Sequence, residues 1–237
     1  MKIAIMQPYI FPYLGYFQLI SAVDKFIVYD DVNFIKQGWI NRNNILLNGQ
    51  GHLFSLPVEN LTSFKRINET RVSPRLYPTW FSKFDKTLQM AYKKAPFFDT
   101  VYPMVNRILA GGEASESIAH LCTEALHEVK RYLGIATPMQ TTCTHYGNDS
   151  LKAEERVLDI CKKESATVYI NAIGGRELYS NASFRKQGIE LYFIEPGIIE
   201  YPQFTNTFVP YLSIIDCMMF NPVEKISAML ENYKLIV

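Results

Sequence analysis

The chain opens on Ile3-Ala4-Ile5-Met6, four apolar residues in a row, which predicts a short strand buried on both faces. Residues 7–13 follow as a loop stiffened by Pro8 and Pro12. Residues 15–23 carry Tyr16, Leu19, Ile20 and Val23 at i, i+3, i+4 and i+7, the stripe of an amphipathic helix. Phe26-Ile27-Val28-Tyr29 is a second buried strand and ends in Asp30-Asp31. Strand, helix and strand in this order make a βαβ unit, which implies a parallel pair. Residues 32–50 read as a long polar and aromatic loop, 52–58 as a third strand and 70–73 as a weaker fourth. Helical spacing then dominates over 78–94, 99–111 and 114–133, with Ser115 and Ser117 available to cap the third helix. A strand is expected at 138–144. A helix at 151–164, capped by Asp149-Ser150, turns Leu151, Val157, Leu158 and Cys161 to a core. Thr167-Val168-Tyr169-Ile170 predicts another buried strand, ending in Asn171, and Gly174-Gly175 leads into a helix at 176–187. A strand at 190–194, an irregular aromatic stretch at 201–220 and a helix at 222–233 complete the pattern. It predicts an α/β fold: a Rossmann-like parallel sheet built from residues 1–77 and 136–237. A mainly helical insertion at 78–135 is either a companion unit or part of one integrated domain.

Residues 3–23 carry no charge, so a hydropathy window flags them as a membrane span or signal peptide. Gln7, Pro8, Pro12, Gly15 and Gln18 interrupt the run and Lys2 is its only basic flank, which argues against both. Composition narrows the class further. The 237 residues are 48% hydrophobic and 14% aromatic, which excludes a disordered or low-complexity chain. Twenty-four Lys+Arg against 23 Asp+Glu leave a net charge of +1, too little for a general electrostatic grip on nucleic acid. Cys122, Cys143, Cys161 and Cys217 form no CxxC pair, so neither a zinc knuckle nor a disulfide framework is indicated, and a reducing, cytoplasmic setting is expected.

Ligands of open α/β sheets bind beyond the carboxyl ends of the strands. Gln7, Asp30-Asp31 and Asn171 each follow a predicted strand, so parallel pairing sets them along one edge. Asp30 and Asp31 can polarise a hydroxyl or amine, or bind a metal, or simply cap the turn; alternation along extended chain turns one of the two away. The run from Lys36 through Trp39, Asn41 and Arg42 is dense in ligand-type groups: Arg42 for a phosphate or carboxylate, Trp39 for stacking on a ring. Gly174 and Gly175 allow close approach to backbone N–H groups, although no GxGxxG or Walker pattern is present. His145 is a candidate acid or base beside Cys143, and Ser213 and Asp216 a candidate pair that an N-cap explains equally well. His120 and His127 share a helix face without a third ligand nearby, so no metal set is assigned.

One resemblance covers nearly the whole chain. Met6-Gln7-Pro8-Tyr9-Ile10-Phe11-Pro12-Tyr13-Leu14-Gly15-Tyr16-Phe17 is similar to the opening motif of the WbqC-like family. Agreement continues through Tyr29-Asp30-Asp31-Val32, Gly38-Trp39-Ile40-Asn41-Arg42, Tyr169-Ile170-Asn171, Gly174-Gly175, Tyr179 and Leu212-Ser213-Ile214-Ile215-Asp216. The resemblance implies a bacterial enzyme that modifies sugars of O-antigen-type surface polysaccharides, by transfer of an acyl or aminoacyl group to an amino sugar. A small-molecule substrate, such as a nucleotide-linked sugar or an acyl donor, follows from it; a cofactor does not. The alternative is a non-catalytic module that binds a sugar nucleotide or carrier. The start of the chain also resembles pantothenate synthetase and other nucleotidylyltransferases. Their His-x-Gly-His motif reads here as Tyr13-Leu14-Gly15-Tyr16, which removes both imidazoles and leaves adenylyl transfer the weakest reading.

Overall fold

Eight strands and eight α-helices are defined in a computed structural model, which describes all residues except Leu61, Ser63, Glu116, Thr205 and Asn206. The expected helix at 114–133 and the expected irregular stretch at 201–220 each include some of those five positions, which lie outside the described residues. The strands are β1 (Lys2–Met6), β2 (Lys25–Val28), β3 (Arg42–Leu47), β4 (Gln50–Ser55), β5 (Met139–Gln140), β6 (Val168–Ala172), β7 (Glu190–Pro196) and β8 (Tyr233–Ile236). The helices are α1 (Leu14–Ser21), α2 (Tyr77–Tyr92), α3 (Phe98–Ala110), α4 (Ile118–Tyr132), α5 (Ala153–Lys163), α6 (Asn181–Lys186), α7 (Ile214–Phe220) and α8 (Val223–Leu230).

Six strands form one sheet in the order β5-β2-β1-β6-β7-β8. All its pairings are parallel except β7 with β8. The fold is therefore a Rossmann-like α/β architecture with a mostly parallel sheet. Its central strand is buried on both sides, as four consecutive apolar residues require. Ile3 and Ile5 face one cluster, with Val157, Ile160 and Cys161 of α5 and Phe184 of α6. Ala4 faces the other, with Phe17, Leu19 and Ile20 of α1 and the buried faces of α2, α3 and α4. At roughly 1.5–3 kcal/mol for each large apolar side chain removed from water, such strands anchor the molecule.

Several elements differ from the sequence pattern. Residues 42–47 are a strand, not loop, and pair antiparallel with β4, which ends at Ser55 rather than running to 58. Asn48 and Gly49, both at positive φ (53° and 75°), make the tight turn between them. β3 looks like loop because its Asn43 turns inward to bond backbone, doing a task usually left to hydrocarbon. The strand expected at 70–73 is a single bridge from Val72 to Val58. The strand expected at 138–144 is only Met139–Gln140, after which Cys143–Tyr146 tightens into a 3₁₀ turn. α5 begins at Ala153, and Lys152, not Asp149-Ser150, stands at its cap. Beyond β6 the chain forms a 3₁₀ turn, Ile173–Leu178, so the continuous helix expected at 176–187 shrinks to the six residues of α6. α7 falls where irregular chain was expected, the helix expected at 222–233 is α8 and ends at Leu230, and β8 follows it where no element was expected. Ser117 does cap α4, accepting a bond from the His120 N–H at 3.2 Å.

Candidate functional site

The parallel strands β5, β2, β1, β6 and β7 all finish on one edge of the sheet. Neighbours lie on both sides of β1, with β2 and β5 to one side and β6 and β7 to the other. The chain leaves β1 into the proline loop, which is held from outside. Phe11 sits at φ 42°, a left-handed conformation that a bulky residue adopts only under restraint. Its carbonyl accepts from Asn43 Nδ2 at 2.7 Å and from Ser213 Oγ at 2.7 Å. The next carbonyl, Pro12 O, accepts from the Ile214 N–H at 2.9 Å. β3 and the start of α7 thus fix the loop that delivers Tyr13 and α1 to the edge.

A cavity of about 520 Å³ opens there, between the start of α1, the turn after β6 and the end of β7. Tyr13, Pro196, Tyr201, Phe208 and Tyr211 wall it, and Leu14 and Gly15 bring the first turn of α1 to its side. Glu195 and Glu200 are its carboxylates; among the described residues no lysine or arginine lines it. Gln18 also lines it. Its amide nitrogen donates to the Met229 and Asn232 carbonyls at 2.8 and 2.9 Å, while its Oε1 is buried without a partner. Cys217 reaches the same cavity, but burial pushes its thiol up to about 12, so it is no ready nucleophile.

A second cavity, about 690 Å³, lies at the β2 and β5 end of the edge, under α4. Its polar groups come from Asp30, Asn68, Thr142 and three side chains of one α4 face, His120, Glu124 and His127. Asp30 Oδ1 accepts from the Cys143 N–H at 2.9 Å and from Thr142 Oγ1 at 3.0 Å. Burial raises the Asp30 carboxyl above its ordinary value and outweighs those two donors. Asp31 Oδ2 enters a buried ion pair with Arg156 of α5 at 2.6 Å. Arg156 is fixed in turn by Asn148 Oδ1 at 3.0 Å and by the Tyr29 ring, 5.1 Å beneath it.

A model of the WbqC-like protein family matches residues 7–228. The chain belongs to that family. It is 29% identical over 222 residues, 93% of each chain, to the uncharacterized protein Rv1507c of Mycobacterium tuberculosis (strain ATCC 25618 / H37Rv). No solved structure matches.

In this WbqC-like chain the sequence-derived candidates divide into groups. Tyr13 and Gly15 line the first cavity and Asp30 the second. Tyr16 is buried behind the proline loop, its hydroxyl donating to the Gln7 carbonyl at 2.7 Å. Asn41 is turned inward and donates to Leu56 O at 2.8 Å. Arg42 folds over Trp39, 5.7 Å from its ring, and donates to the carbonyls of Gln37 and Gly38, so its guanidinium is spent on its own loop. Lys36 and Trp39 are exposed. Asn171 accepts from the Ala172 N–H at 2.8 Å and lies against Gly175, where a Cβ would come within 2.8 Å of its amide nitrogen. Gly174 and Gly175 belong to the 3₁₀ turn rather than to an α-helix start. Tyr179 packs edge-on against Tyr169 and Phe184. Ser213 caps α7, accepting from the Ile215 N–H at 3.2 Å. Asp216 is fully buried and accepts from Tyr92, Tyr201 and Gln203 at 2.7–2.9 Å. His145 is exposed beside Tyr146. The WbqC-like motif thus spends many of its polar residues on pinning loops. The wall residues Tyr201, Phe208 and Tyr211 lie in the aromatic stretch and had no periodic signal to mark them, and Glu195 lies in β7, one residue past the strand expected at 190–194.

Proposed function

We propose that this WbqC-like protein is an enzyme of surface-polysaccharide assembly that holds an amino sugar in the tyrosine-walled cavity and transfers an acyl or aminoacyl group to its amine. One observation carries the reading: a cavity at the carboxyl edge of a parallel sheet combines aromatic walls with two carboxylates and no lining cation. Aromatic rings cover the apolar face of a pyranose and leave its polar rim free. Carboxylates accept from hydroxyl groups and pair with an ammonium. A nucleoside triphosphate asks for the opposite lining, so adenylyl transfer gains no support. In the proposed reaction a carboxylate of the cavity takes one proton from the bound ammonium, and the neutral amine attacks the donor carbonyl. The amide bond forms as the donor's ester or thioester bond breaks, and the amine proton passes to the departing oxygen or sulfur.

The second reading, a non-catalytic sugar-binding module, is favoured by Cys217, whose thiol stays protonated, and by tyrosines in place of both histidines at 13 and 16. Titration calorimetry with amino sugars, their N-acetyl forms and their nucleotide-linked forms tests the shared step. The free-amine sugar should bind, and a Glu195→Gln, Glu200→Gln variant should bind it at least about tenfold more weakly. No binding of any amino sugar at millimolar concentration removes both readings. Binding without transfer from a panel of acyl and aminoacyl donors leaves the module.

A further inference from the structure

Asp30, Asp31 and Cys143 each bring one potential ligand atom within 4.8 Å of the others, all on buried residues. β2 delivers the two carboxylates and the turn after β5 delivers the thiol, two neighbouring strands finishing on the same edge. Each carboxylate commits one oxygen to an orienting bond. Asp30 Oδ1 is held by Thr142 Oγ1 and the Cys143 N–H, and Asp31 Oδ2 by Arg156. The remaining oxygen of Asp31, Oδ1, is buried with no partner, on a side chain only 2% exposed. A buried carboxylate oxygen left bare is costly, and native structures seldom leave one without a reason. Ligating carboxylates are characteristically steadied from behind through their second oxygen, which is the arrangement here. Composition points the same way: two carboxyl groups meet the single guanidinium of Arg156, which pairs with Asp31. Two carboxylates alone would suit magnesium or calcium, but a sulfur in the set selects a softer ion.

We propose that Asp30, Asp31 and Cys143 bind one divalent transition metal of the zinc, cobalt or iron(II) class. Asp30 lines the cavity under α4, which gives the ion a route in and leaves a position for water or a ligand donor from that cavity. The site is separate from the tyrosine-walled cavity and stands whether or not an amino sugar binds there.

Cobalt titration of the metal-stripped protein tests this without an activity assay. One equivalent should bind with a sulfur-to-cobalt charge-transfer band, and zinc should displace it. Cys143→Ser should abolish the band, while Cys122→Ser, which alters a thiol in the other core cluster, should keep it. Asp31→Asn should weaken zinc at least tenfold; Asp30→Asn, which keeps shape and hydrogen-bonding capacity, should do the same and serves if Asp31→Asn fails to fold beside Arg156. Absence of stoichiometric cobalt or zinc binding by the folded wild-type protein overturns the proposal, and so does a band that survives Cys143→Ser.

Discussion

The carbonyl of Phe11 shows how much the site owes to single polar atoms. Two side-chain donors, from Asn43 and Ser213, meet on it and hold the residue at φ 42°. Asn43 also reaches the Ile10 carbonyl at 3.2 Å. Asn43→Ala therefore strips buried carbonyls of their partner and should cost about 2 kcal/mol, against about 1 kcal/mol for Ser213→Ala, read from urea unfolding. A pH dependence follows from Glu164. Burial pulls its carboxyl up, but Lys25 Nζ and the Tyr146 hydroxyl, both at 2.6 Å, outweigh that and hold it below its ordinary 4.5. A depressed folded value means the carboxylate contributes stability at neutral pH, which is lost as pH falls from 4.5 through the folded value. Glu164→Gln should flatten that acid limb in thermal unfolding scans; an unchanged limb would assign it to other carboxylates.

Among the elements, the start of α1 is the most sensitive to change. A Cβ on Gly15 would run into the Tyr13 ring and come within 2.9 Å of Pro196 Cγ. Gly15→Ala should push the Tyr13 ring into the cavity and weaken ligand binding at least tenfold in calorimetry, while the melting temperature changes little. The βαβ opening and the buried strands were legible from apolar runs because a strand buried on both faces has few other ways to be written. α7 was not, since Ile214 through Met219 are all buried and a helix sunk on every side shows no amphipathic stripe. β3 hid behind Asn43 and Asn44, although the Asn48-Gly49 pair was a readable hairpin signal. The edge position of Asp30 was legible from the strand it follows, but its separation from Tyr13 into a different cavity depends on how α4 and the aromatic stretch cover the sheet. Arg42 illustrates the opposite limit: a residue type suited to anions was consumed by carbonyls four and five residues away.

Across the whole molecule, helices α2 to α4 share one apolar cluster with the sheet. Leu88, Tyr92, Ile108 and Leu126 pack in the same group as Ala4, Phe26, Val28 and Ile215. Tyr92 ties the layers further, accepting from the Leu46 N–H at 2.8 Å and donating to Asp216 at 2.9 Å. A fragment of residues 77–135 alone should therefore show no cooperative melting by calorimetry, and a sharp transition would establish it as a domain of its own. No helix among the described residues is long and apolar enough to cross a membrane.

The central strand has a temporal consequence. β1 pairs with β2 nearby in sequence, but its other flank waits for β6, where Ile3 meets Tyr169. At ribosomal speeds of roughly 5–20 residues per second, that partner is synthesised on the order of 10–30 s after β1. For that interval the uncharged segment 3–23 has only half its shelter, and its apolar strand stands open to aggregation until β6 arrives.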